Sequence, residues 1–199
     1  MALTGGLRFL VRRGMLCAMS TIHECIDDEL TSFIRAQAVF FVASAPSGRD
    51  GCVNLSPKGY TDTFVVLDEH TVAYLDLTGS GVETIAHLRD NGRITLMFCA
   101  FEGPPNIVRL YGRGRVVLAE DDDFVDLRSR FGSRSGVRCI IVVDVTRISS
   151  SCGFAVPFME LRGERDKLDE HWAAQPEATI DTYKTTHNAL SIDGLRALG

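Results

Sequence analysis

The run Asn54-Leu55-Ser56-Pro57-Lys58-Gly59 combines two neutral hydrogen-bonding side chains with a fixed positive charge. Asn54 and Ser56 suit the polar edge of a ring, Lys58 suits a phosphate, and Pro57 and Gly59 shape the backbone around them. The plainer reading is a strand end turning into a loop with a solvated lysine. A second run, Leu77-Thr78-Gly79-Ser80-Gly81-Val82-Glu83-Thr84, hands a strand over to a helix. Hydroxyls and glycines ahead of a helix leave backbone N–H groups free to face an anion, and the helix dipole favours one there. The spacing of a P-loop is absent, and the competing reading is that Ser80 or Thr78 simply caps the helix. The two runs reinforce one another, because one phosphate held by both would neutralise Lys58.

Two further groups carry weaker signals. Arg109, Tyr111, Arg113 and Arg115 alternate along one strand and so share a face. Arg109 is a candidate cofactor contact, whereas Arg113 and Arg115 read as a solvent-exposed or dimer-facing row. Cys152, in Ser-Cys-Gly-Phe-Ala-Val-Pro, would be a nucleophile only with a histidine beside it, His171 or His187; a cysteine next to glycine after a strand more often packs or turns. No side chain is thereby named as a catalytic acid or base. The histidines follow no metal-site spacing and the cysteines form no C-x-x-C pair, so no metal centre is expected.

The elements that must position these residues follow from periodicity. Residues 26–37 place Ile26, Leu30, Phe33 and Ile34 at helical spacing, with Asp27, Asp28 and Glu29 in the first turn. Strands are expected over 38–45, 52–56, 63–67, 71–77, 93–101, 107–118 and 138–148, and further helices over 82–91 and 121–130. Asn91-Gly92 is a helix stop. Many short strands at regular intervals with a few helices argue for an antiparallel barrel with helical decoration.

Composition bounds the rest. The chain has 199 residues, 45% of them hydrophobic, which suits one globular domain. A net charge of −5 without a basic run disfavours nucleic acid. No apolar stretch reaches the roughly 20 residues of a membrane helix. Cys99 and Cys139 lie inside apolar runs and read as buried hydrophobes in a reducing compartment. Residues 1–22 carry Arg8, Arg12 and Arg13 with no acidic residue. They read as an over-extended start or disordered tail on a cytoplasmic protein, or alternatively as a mitochondrial presequence. The domain proper is then 23–199, with a core of about 25–150 and a C-terminal extension from 151 to 199.

Phe40-Phe41-Val42-Ala43-Ser44-Ala45-Pro46, the run Gly51–Gly59, the run Asp76–Phe98, and Arg109-Leu110-Tyr111-Gly112-Arg113-Gly114 together resemble the pyridoxamine 5′-phosphate oxidase-related FMN-binding proteins. Ser-Cys-Gly-Phe-Ala-Val-Pro and Asn188-Ala-Leu-Ser-Ile-Asp-Gly194 extend the resemblance toward a less characterised branch of that group. The resemblance implies a mainly β fold, a six-stranded antiparallel split β-barrel with flanking helices. It also implies a homodimer with FMN between the subunits and hydride transfer at flavin N5 to or from a small-molecule substrate. It assigns Asn54, Ser56 and Lys58 to the flavin on one strand, with Lys58 toward the phosphate. Thr78 and Thr84 complete the phosphate site, Ser80 is a further cofactor contact, and Arg109 reaches the ring edge from its own or the partner subunit. One departure stands out: the pyridoxamine phosphate oxidases carry an Arg-Lys pair at the start of the phosphate-side helix, where this chain has Glu83-Thr84. The family's arginine-rich C-terminal substrate signature is also absent after residue 150. A flavin or haem carrier on the same scaffold and a deazaflavin-dependent reductase are the alternative readings.

Overall fold

The structure is a computed structural model and describes residues 20–198. Most of the N-terminal segment set aside above lies outside these residues. Its end does not: β1 (Ser20–His23) pairs with the end of β8, so the boundary drawn at residue 22 falls inside a strand.

The chain then runs through α1 (Asp28–Arg35), β2 (Phe40–Ser44), β3 (Asn54–Lys58), β4 (Phe64–Asp68) and β5 (Thr71–Leu77). It continues with α2 (Glu83–Asn91), β6 (Arg93–Cys99), β7 (Ile107–Val117), α3 (Phe124–Arg128) and β8 (Val137–Ser151). Two helices close it, α4 (Lys167–Ala173) and α5 (Glu177–His187). The third strand begins two residues later than its pattern suggested and ends on Lys58, which places Asn54, Ser56 and Lys58 together on one face.

Among the described residues the sheet has eight strands, not the six expected, in the order β3-β2-β6-β7-β8-β5-β4, with every pairing antiparallel. Seven of them match the strand segments read from the sequence, and the eighth, β1, is recruited by β8, which is 15 residues long. One of its edges bonds β7 throughout, while the other bonds β5 along its first half and β1 along its last residues. The sheet does not close on itself: β3 and β4 form its two ends and share no ladder. The fold is therefore mainly β, an open antiparallel barrel with flanking helices.

Alternation decides what lies inside. Val42, Leu96, Phe98, Val108, Leu110 and Ile141 point to the interior and are buried, in the period-2 pattern of a half-buried strand. Phe40, Phe64, Phe98 and Tyr74 form an aromatic cluster there, with ring centroids 5.1–5.6 Å apart. The amphipathic α1 plugs one end with Leu30 and Ile34; its N-cap Asp27 accepts from the Leu30 amide at 2.8 Å. The inner face of α2 supplies Ile85, Ala86 and Leu88. That helix ends, as Asn91-Gly92 foretold, with Gly92 in the left-handed region at φ 71°. It can lie against β7 because Gly114 has no side chain: a Cβ there would stand 2.8 Å from Leu88 Cδ2. A second, smaller core on the outer face of β5 and β8 (Leu75, Ile140, Val142) is covered by Phe124, Leu127 and Phe131.

Candidate functional site

The gap between the ends of the sheet is bridged by side chains instead of a backbone ladder. Lys58 Nζ, on β3, donates to Asp76 Oδ1 on β5 at 3.0 Å. Arg138, at the start of β8, grips the other oxygen of Asp76 through Nε (2.7 Å) and a terminal nitrogen (2.6 Å). Arg138 also donates to the Gly81 carbonyl at 2.8 Å and to Asn188 Oδ1 at 2.9 Å. Further along the gap Asn54 Nδ2 donates to Thr84 Oγ1 at 3.0 Å, and Ser56 Oγ donates to Asn54 Oδ1 at 3.0 Å.

The electrostatics of this seam are set by burial. Side-chain exposure is 1% for Asp76, 4% for Arg138 and 22% for Lys58. Burial pushes the Asp76 carboxyl upward, but the charges and hydrogen bonds of Lys58 and Arg138 overturn this and hold its pKa below the usual carboxylate value. Two cations against one carboxylate leave one net positive charge. Arg138 has its nitrogens committed, whereas the Lys58 ammonium has three donors and uses one on Asp76. The surplus charge is therefore displayed at Lys58. Nearby, burial and then the Asp76 charge push the Tyr74 phenol and the Cys139 thiol well above their ordinary values, so both stay neutral.

Lys58 opens onto a hollow of about 780 Å³, within the range of about 300–1,000 Å³ typical of small-molecule sites. Leu75, Leu77, Leu161 and Leu168 supply apolar walls, and Tyr60 and Lys167 stand at its rim. Tyr60 holds a left-handed φ of 65°, a conformation that costs a non-glycine residue on the order of 1–3 kcal/mol. It is kept there by Arg134, whose guanidinium carbon lies 4.0 Å from the ring centroid, and by its own hydroxyl, which donates to the Arg165 carbonyl at 2.8 Å.

The bend between β5 and α2 is differently occupied. Thr78 and Thr84 are buried and Ser80 is exposed. The Thr78 carbonyl accepts from Trp172 Nε1 at 2.8 Å, while its hydroxyl is buried without a partner in the structure. Neither Thr78 nor Ser80 caps α2; the N-cap is Val82, with no side-chain bond. The Glu83 carboxylate folds back over the helix start, where Oε2 would stand 2.6 Å from a Cβ built on Gly81. The C-terminal segment lies over it: Asn188 Nδ2 donates to the Gly79 carbonyl at 3.0 Å, and the Ile192 amide donates to Glu83 Oε1 at 3.4 Å. The Cys52 amide donates to Asp193 Oδ2 at 2.9 Å. Free donors for an anionic group therefore stand at Lys58, whereas the start of α2 carries the Glu83 carboxylate.

Of the residues singled out from sequence, Asn54, Ser56, Lys58 and Thr84 come together along the seam. Thr78 and Ser80 belong to the bend but do not line the Lys58 hollow. Arg109 stands apart. It lies three strands from β3 on the opposite face of the sheet, about 14 Å away at the ordinary strand spacing, and donates to Ser151 Oγ at 3.1 Å. Cys152 has no histidine bonded to it; His187 instead stacks on Tyr183 and bonds Thr186. Sequence reasoning passed over Asp76, Arg138, Asn188 and Trp172. Asp76 was detectable as a lone acid inside Ala-Tyr-Leu-Asp-Leu, since a buried carboxylate demands cationic partners. Asn188 and Trp172 gave no local signal, because their role depends on how the C-terminal segment returns.

An open antiparallel barrel whose split is closed by an ion cluster, with a lysine facing a hollow, defines a split-barrel class of mainly β protein. The family model described as pyridoxamine 5′-phosphate oxidase matches residues 26–157. The pyridoxamine 5′-phosphate oxidase family protein ustO of Aspergillus flavus is 38% identical over 198 residues, covering 90% of this chain and 78% of that protein. The chain belongs to the pyridoxamine 5′-phosphate oxidase family. Among solved structures, Group A Streptococcus HupZ is similar at 22% identity, over 62% of this chain and 91% of its own, with a TM-score of 0.48. A FAD-binding protein from Mesorhizobium loti is similar at 15% identity, over 67% of this chain and 97% of its own, with a TM-score of 0.47. A FMN-binding protein from Syntrophomonas wolfei is similar at 16% identity, over 62% of this chain and 86% of its own, with a TM-score of 0.44.

Proposed function

We propose that this protein binds a flavin, FMN, and acts as an oxidoreductase on a small-molecule substrate. The carrying observation is the surplus positive charge of the Lys58–Asp76–Arg138 cluster, displayed by Lys58 to an apolar-walled hollow of suitable size. Family membership supports the same reading. When bound, the flavin supplies hydride chemistry at its N5. The chain's own part is to hold an anionic end on Lys58, to enclose a flat ring between Leu75, Leu77 and Leu161, and to keep the neighbouring Tyr74 and Cys139 protonated. Asn54, Ser56 and Thr84 hold the strand edge beside it in one geometry.

The assembly that goes with this reading is a homodimer. Val53 and Leu55 are 74% and 64% exposed beside β2 on the outer face of the sheet, an arrangement that a second copy would cover. A partner's outer face would also bring a second Arg109 toward the first protomer's site, which a single chain does not do.

Titration of FMN into the purified protein, followed by flavin fluorescence, tests the reading. Saturable binding is expected, weakened at least about tenfold by Lys58→Met, the worth of one hydrogen bond to a charged group. A flavin that does not bind, or that binds the Lys58→Met variant equally well, overturns it. Turnover with NAD(P)H and an electron acceptor separates the enzyme from a carrier on the same scaffold.

A further inference from the structure

A second hollow of about 690 Å³ abuts the first across Leu161, and Ala38 and Val39 line both. Its apolar wall is made by Phe41, Phe101 and Met159. The charged residues on its lining are Glu102 and Glu160, and neither forms an ion pair among the described residues. No lysine or arginine lines it. The roof, residues 158–165, has no helix or strand, yet it is pinned at both ends. The Met159 amide donates to the Phe101 carbonyl at 3.0 Å, and Glu164 Oε1 accepts from the Thr61 amide at 2.7 Å while Oε2 meets Arg134 at 3.2 Å.

The two halves are thus opposite in charge. Lys58, Arg165 and Lys167 outnumber Glu164 on the lining of one, and Glu102 and Glu160 line the other with no cation to offset them. We propose that the second hollow binds an apolar ring compound bearing one ammonium group and no phosphate or carboxylate. The ring lies against Phe41, Phe101 and Met159. The ammonium meets Glu102 and Glu160 and gains a further attraction to the aromatic faces. Anions are repelled by the same acids and drawn to the Lys58 half, so the trough sorts its occupants by sign. As a substrate position this rests on the flavin reading; as a binding site it rests on its own lining.

Calorimetric titration of the full chain at pH 7 with 2-phenylethylamine and with 3-phenylpropionate, two probes of similar shape and opposite charge, decides it. The amine is expected to bind at least about tenfold more tightly than the carboxylate. The double variant Glu102→Gln/Glu160→Gln should bring the two within about twofold, and Met159→Trp, which fills the hollow, should abolish amine binding. Both variants should take up FMN as the parent does. Equal binding of the two probes, or a preference that survives loss of both acids, overturns the proposal. Amine binding in a protein that ignores FMN upholds the site and overturns the flavin reading instead.

Discussion

At the scale of single residues, Asp76 is the group on which the seam turns. Removing its charge by Asp76→Asn leaves Arg138 buried without a counter-ion, the situation in which a lost partner costs about 3–5 kcal/mol. Urea denaturation should show a fall of that order. Because the carboxyl's pKa is depressed in the fold, its stabilising contribution is complete above the ordinary value near 3.9 and is lost as pH falls through the lower folded value. The parent should therefore lose stability steeply below about pH 4, and Asp76→Asn should lose less over the same interval. His87 works at milder pH. Burial lowers its pKa against the pull of Asp193, Glu83 and Asp90, and its Nδ1 bonds Ser44 Oγ at 3.0 Å. The unfolded chain then takes up a proton near pH 6.5 before the folded one does. Stability should already decline as pH drops from about 6.5, and His87→Gln should flatten that part of the profile in pH-dependent melts.

At the scale of elements, the close contacts are the places to press. Gly114→Val would drive a side chain into Leu88 and should destabilise by about 1–3 kcal/mol through overpacking, read as a lowered denaturation midpoint. Asn188→Ala removes the partners of both Arg138 and the Gly79 carbonyl and should cost about 1–3 kcal/mol. The contrast between these two positions shows what the sequence could reveal. Strands β2, β4, β5, β6 and β7 announced themselves through alternation and turn residues, and α1 and α2 through spacing and caps, because these are local consequences of period and propensity. The strand count was not local: β8 runs to Ser151, and the edge that β5 covers along its first half is left open at its end, where it recruits Ser20–His23. In the site, Asn54 and Lys58 were visible as an amide and a fixed charge at the end of a strand, although the strand itself runs on to Lys58. Their partners were not, since Asp76, Arg138 and Asn188 meet only after the sheet has curled and the C-terminal segment has come back across it.

At the scale of the whole molecule, the exposed apolar residues Val53 and Leu55 bear on the assembly. Sedimentation equilibrium should report a particle of twice the 21.9 kDa chain mass. Leu55→Glu, which places a charge in the proposed contact, should shift it toward a single chain. Loss of flavin in the same variant would tie the cofactor to the assembly. The split itself has a mechanical meaning. Everywhere else, neighbouring strands are zipped by amide ladders that must be undone rung by rung, but β3 meets β5 and α2 through a handful of charged and hydroxylic tips. The barrel therefore carries a fault line. Under tension applied across it, or in acid, the wall should part there first, and hydrogen exchange would register the opening along Asn54–Lys58 while the amides of β7 and β8 stay protected.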